Sequence, residues 1–122
     1  MKLRIEAGKV VLTAELRDTP TTKAIVAALP FESRAQTWGE EVYFNTPVSV
    51  KLEADAQQIV EPGTVCFWTE GDAIALPWGR TPISTDERPK LASRCNVLGT
   101  LIGEAKALAR IRSGEKITVS KA

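Results

Sequence analysis

Short runs that alternate apolar and polar residues, each closed by glycine or proline, narrow the folds open to this chain more than any other feature. Leu3 and Ile5 alternate with Lys2, Arg4 and Glu6; past Ala7-Gly8-Lys9, the residues Val10, Leu12, Ala14 and Leu16 take every second place. Successive strand side chains point to opposite faces, so two such runs around a short glycine turn predict a β-hairpin with one buried face. The period then changes. Asp18-Thr19-Pro20 places a capping residue ahead of a proline at the first helical position. Ala24, Ile25, Ala28 and Leu29 recur at helical spacing until Pro30, whose ring pushes the preceding residue out of the helical region. This predicts one short amphipathic helix.

From Arg34 the period returns to two, with Ala35 and Thr37 on one side and Arg34, Gln36 and Trp38 on the other. Gly39-Glu40 offers a turn, and Glu41-Val42-Tyr43-Phe44 is a strand of β-formers that Asn45-Thr46-Pro47 breaks. Val48, Val50 and Leu52 alternate once more, and 55–58 has the character of a helical turn. Glu61-Pro62-Gly63 is a turn before a strand over 64–68, and Glu70-Gly71-Asp72 leads into another over 73–78. The stretch 79–89 holds two prolines and the charged Asp86-Glu87-Arg88, which predicts an exposed loop. A strand over 96–102 contains Gly99, where a bulge or bend is expected. A second helix is expected over 104–111, and a closing strand over 116–119. About eight strands with two isolated helices, and no βαβ alternation, predict a mostly β domain over residues 1–122. The expected architecture is an antiparallel sheet closed into an eight-stranded β-barrel, its ends capped by two α-helices. Side chains fill a barrel of that size, so a ligand is expected on the outer wall or at a mouth.

Composition excludes more than it assigns. The 122 residues carry 16 basic and 15 acidic side chains and no histidine. That removes Ser-His-Asp and Cys-His nucleophiles, His-ligated zinc and imidazole acid–base chemistry near neutrality. The net charge of +1 lacks the basic excess of a nucleic-acid binder, and no apolar run approaches the roughly 18 residues of a membrane span. Met1–Glu6 has no apolar run of signal-peptide length. Cys66 and Cys95 are far apart in sequence and read as reduced, structural thiols, so a cytoplasmic location is expected. No cofactor and no metal are expected: neither a phosphate-cradling glycine spacing nor an EF-hand carboxylate spacing is present.

Pro30-Phe31-Glu32-Ser33, followed by Thr37-Trp38-Gly39-Glu40-Glu41-Val42-Tyr43-Phe44, resembles the signature of a small prokaryotic cyclophilin-like family. Glu61-Pro62-Gly63, Phe67-Trp68, Trp78-Gly79-Arg80-Thr81-Pro82 and Asn96-Val97-Leu98-Gly99 follow in that family's order, so the likeness spans nearly the whole chain. The resemblance implies a cyclophilin-type barrel of eight strands with two capping helices. It implies no activity. Cyclophilins that isomerise peptidyl-prolyl bonds use an arginine beside a proline pocket with glutamine, asparagine, tryptophan and histidine. Their Gln-Gly-Gly-Asp stretch does not occur here and histidine is missing, so no catalytic residue is carried over.

The adjacent Glu40 and Glu41 point to opposite faces of a strand and read as solvated turn carboxylates rather than an acid–base pair. Trp38, Trp68 and Trp78 stand at strand ends, where a tryptophan either packs the core or lines a shallow cleft. The expected function is a non-catalytic module that binds a peptide or small molecule, lined by Trp38, Tyr43, Trp78, Arg80 and Asn96. Two rivals stand beside it. One is a weak prolyl isomerase using Arg34, Arg80 or Arg94; the other is an assembly protein that contacts partners or copies of itself through β-edges or the 79–89 loop.

Overall fold

The computed structural model describes all 122 residues. The hairpin forms where the alternation places it, as β1 (Lys2–Ala7) and β2 (Val10–Leu16), with Gly8 at φ +58° in the turn. Helix α1 (Pro20–Ala28) starts on Thr19, whose hydroxyl accepts from the Thr22 amide while the Thr22 hydroxyl accepts from the Thr19 amide. That reciprocal pair satisfies two amides left free by the first helical turn. The remaining strands are β3 (Phe31–Arg34), β4 (Gln36–Thr37), β5 (Glu41–Asn45), β6 (Gln57–Ile59), β7 (Thr64–Trp68), β8 (Ala73–Pro77), β9 (Lys90–Ile102) and β10 (Lys116–Lys121).

All pairings are antiparallel, in the order β3-β10-β1-β2-β9-β7-β8-β5-β4, with β6 branching from β9. The expected closed eight-stranded barrel is therefore corrected to an open antiparallel sheet of ten strands. No ladder joins its end strands, β3 and β4. The reason lies in Ala35, the residue between them. Its amide donates to the Glu115 carbonyl at 2.8 Å and its carbonyl accepts from the Gly114 amide at 2.7 Å. At this residue the chain leaves β10 and then pairs with β5, so β3 and β4 extend the sheet at opposite ends.

The second predicted α-helix is a six-residue 3₁₀ helix, Ala105–Arg110. Glu104 supplies no side-chain cap, and the segment closes with i to i+3 bonds such as Ala107 amide to Glu104 carbonyl. The alternation at 48–52 does not become a strand. There, the Lys51 carbonyl and Glu53 amide bond the Asn96 carboxamide instead of a neighbouring ladder. Within β9 a bulge adjoins Gly99: Val65 faces Gly99 and Cys66 faces Val97, leaving Leu98 unpaired.

One face of the sheet carries the main core, including Leu3, Ile5, Val42, Phe44, Phe67, Ile74, Leu76, Leu98 and Ile117, with Ile25 of α1 and Leu108 of the 3₁₀ helix packed on it. The other face carries a smaller cluster of Val60, Cys66, Ala75, Leu91 and Cys95, against which Tyr43 and Trp68 pack. No helix is long and apolar enough to cross a membrane.

Candidate functional site

Strand parity builds the site. On β5, Val42 and Phe44 belong to the core side, so Glu41 and Tyr43 emerge on the opposite face. Tyr43 is in register with Ala75 of β8, and Ala75 with Cys66 of β7. The small Ala75 leaves a hollow in that row. The result is a pocket of about 290 Å³ lined by Trp38, Glu41, Tyr43, Trp68, Ala75, Leu91, Ala92 and Cys95, of which only Glu41 is not hydrophobic. A more polar depression with Gln58, Thr69, Glu70, Ser93 and Arg94 adjoins it across Ala92.

The walls are held from behind. The Trp68 indole N–H donates to Ser93 Oγ at 3.0 Å. Its ring also lies on Gly71, where a Cβ would come within 2.4 Å of the ring carbons. Tyr43 and Trp68 meet edge to face, with centroids 6.4 Å apart and planes at 86°. Trp38 is fixed by its amide, which donates to the Glu41 carbonyl at 3.0 Å across the Gly39 turn. At φ +59°, and with the Arg80 carbonyl 3.0 Å from where a Cβ would stand, that turn requires glycine.

Glu41 is the feature the sequence reading missed. It is 6% exposed, not a solvated turn carboxylate, and its Oε1 has no hydrogen-bond partner. Desolvation pushes its carboxyl up to about 7. Glu40, its neighbour, faces away and accepts from the Arg80 amide at 3.0 Å. Burial, reinforced by the negative charges of Glu41 and Glu70, pushes the Cys95 thiol up to about 12. Burial, with Cys95 and Glu41 beside it, raises Cys66 well above the usual thiol range. Both cysteines are free and stay protonated at neutral pH, which deprives them of nucleophilic character. No three His, Cys, Asp or Glu side chains converge as a metal site.

Of the residues expected to line a site, Trp38 and Tyr43 meet in this pocket. Trp78 packs against the main core. Arg80 is exposed and pairs with Glu87 at 3.3 Å. Asn96 is fully buried; its amide group donates to Thr21 Oγ1 and to the Lys51 carbonyl, both at 3.0 Å, and its carbonyl accepts from the Glu53 amide at 2.7 Å. Arg34 and Arg94, the other arginines considered for an isomerase, bond backbone carbonyls of Gly114 and of Ala54 and Ala56. No arginine lines the pocket. Trp68, Ala75, Leu91, Ala92 and Cys95 also line the pocket, and the face they share with Tyr43 follows from pairing across strands, which local alternation does not encode.

The hypothetical protein AF2241 from Archaeoglobus fulgidus, known from a solution structure, is 38% identical, with a TM-score of 0.84 over 100% of this chain and 95% of that one. McbB, whose structure was solved in complex with tryptophan, has a TM-score of 0.69 at 17% identity, over 98% of this chain and 44% of McbB. That second likeness is one of fold alone. No curated protein matches the sequence. The cyclophilin-like family matches residues 1–120, and the chain belongs to that family.

Proposed function

We propose that the protein is a non-catalytic binding module that holds a small molecule, or one side chain of a peptide, by its apolar part in the pocket on the outer face of β5, β7, β8 and β9. The observation that carries this reading is the pocket itself: a concave, mostly apolar surface, backed by a packed sheet and containing a single charged side chain, Glu41. Its volume of about 290 Å³ lies at the small end for ligand sites, which suits one ring or a short chain. An adjoining polar depression offers room for a polar tail.

The test is a screen of single-ring and short-chain compounds by melting temperature and tryptophan fluorescence. Binders are expected to quench or shift emission from Trp38 and Trp68. Ala92→Phe, a change at the exposed rim, is expected to weaken them at least about tenfold by filling the mouth. A screen without binders, or binders indifferent to Ala92→Phe, would overturn the reading.

A further inference from the structure

Glu41 sets the chemistry of the ligand. A buried carboxyl is ordinarily matched by an arginine, a lysine or several N–H donors, because its desolvation is otherwise uncompensated. Here Oε1 has no partner, and no cationic side chain lines the pocket. Trp38, Tyr43 and Trp68 line the same pocket, and aromatic rings attract cations. We propose that the pocket recognises an alkylammonium group on an apolar body no larger than one ring, with Glu41 as its counter-ion and the three aromatic side chains as its wall.

This inference rests on the pocket reading above and adds the charge of the occupant to it. An ammonium supplies the counter-charge that the buried Glu41 carboxylate lacks, and its methylene or aromatic body meets the apolar wall. A neutral ligand of the same shape leaves the carboxyl as unsatisfied as it is in the empty pocket. The group can reside on a free amine or at the end of a lysine side chain, and both present the same chemistry to Glu41.

The titratable groups near Glu41 are Tyr43 on its own strand, Cys66 on β7 and Cys95 on β9; Glu70 acts on Cys95, and Glu40 accepts from the Arg80 amide on the turn side. Burial keeps both thiols protonated through neutrality, so neither thiol changes charge there. The carboxyl of Glu41, held near 7, becomes the anion that an ammonium requires as the pH rises through that value.

Phenethylamine, 2-phenylethanol, Nα-acetyl-lysine methylamide and Nα-acetyl-norleucine methylamide test the proposal by titration of tryptophan fluorescence. At pH 8 at least one of the two ammonium compounds is expected to bind about 10- to 100-fold more tightly than its neutral counterpart. Which of the two binds tells a free amine from a lysine side chain. From pH 6 to pH 8 that affinity should rise about tenfold, as Glu41 ionises. Glu41→Gln should remove both the preference and the pH dependence; Glu41→Leu serves if that variant folds poorly. Neutral compounds binding as tightly as the ammonium compounds would overturn this proposal and leave the pocket reading standing. Binding of none of the four at the pocket would overturn this proposal, and only a wider screen without any binder would overturn the pocket reading as well.

Discussion

At the scale of single residues, Glu41 works against the fold. Its carboxyl sits near 7 in the folded protein, against 4.5 for the ordinary group, so the folded state holds a proton that the unfolded chain has already released. Stability linked to this group is full below about pH 4.5, falls as the pH rises through about 7, and then levels off. At 1.36 kcal/mol per pH unit, the interval from 4.5 to about 7 corresponds to a loss of about 3 kcal/mol. Glu41→Gln should remove that loss. In denaturant titrations the variant should gain about 3 kcal/mol on the parent between pH 4.5 and pH 8; an equal difference at both pH values would mean that water reaches the carboxyl. The sequence contained one clue to its place. Glu41 shares strand parity with Tyr43, which was itself expected to line a site. Its position beside Gly39-Glu40 instead suggested a solvated turn, because adjacency to a turn says nothing about which strands lie across from it.

Among the elements, the β1–β2 hairpin and α1 were legible because their signals are local. An alternation, a glycine turn and a Thr-Pro cap act within a few residues of one another. The 48–52 segment shows the limit: alternation describes which way side chains point, not whether a neighbouring backbone is present to form a ladder. What receives the Lys51 carbonyl and Glu53 amide is the side chain of Asn96, and Asn96 read from sequence as a polar lining residue. Its carboxamide ties β9 to α1 and to this loop, with three hydrogen bonds in a site closed to water. Asn96→Ala should lower stability by about 3 kcal/mol, near 1 kcal/mol per bond, measurable as a shift in urea midpoint. A change below about 0.5 kcal/mol, the level of an ordinary surface substitution, would show that water replaces those bonds. The second helix was legible as a helix but not as 3₁₀, since an apolar spacing fixes a face and not the hydrogen-bond register of a six-residue segment.

Over the whole molecule, the mostly β character could be read from periodicity, whereas the strand count, the strand at Gln57–Ile59 where a helical turn was expected, and closure of the sheet could not. Closure depends on whether the two end strands pair, and that is decided at Ala35 by bonds to Gly114 and Glu115, some eighty residues away. An open sheet has a gradient of protection, because terminal strands have one neighbour and central strands two. Amide exchange should be slowest for Val65–Phe67 and Ile74–Leu76 and fastest at the unpaired edges of β3 and β4. Equal protection of Gln36–Thr37 and the central strands would contradict the open arrangement. The two-sided β5 has a consequence for how such a protein can be altered. Along β5 and β8, even-numbered Val42, Phe44, Ile74 and Leu76 hold the fold, while odd-numbered Glu41, Tyr43 and Ala75 shape the pocket. Selection or design can therefore rewrite what the pocket accepts by changing every second letter, leaving the text that specifies the scaffold intact.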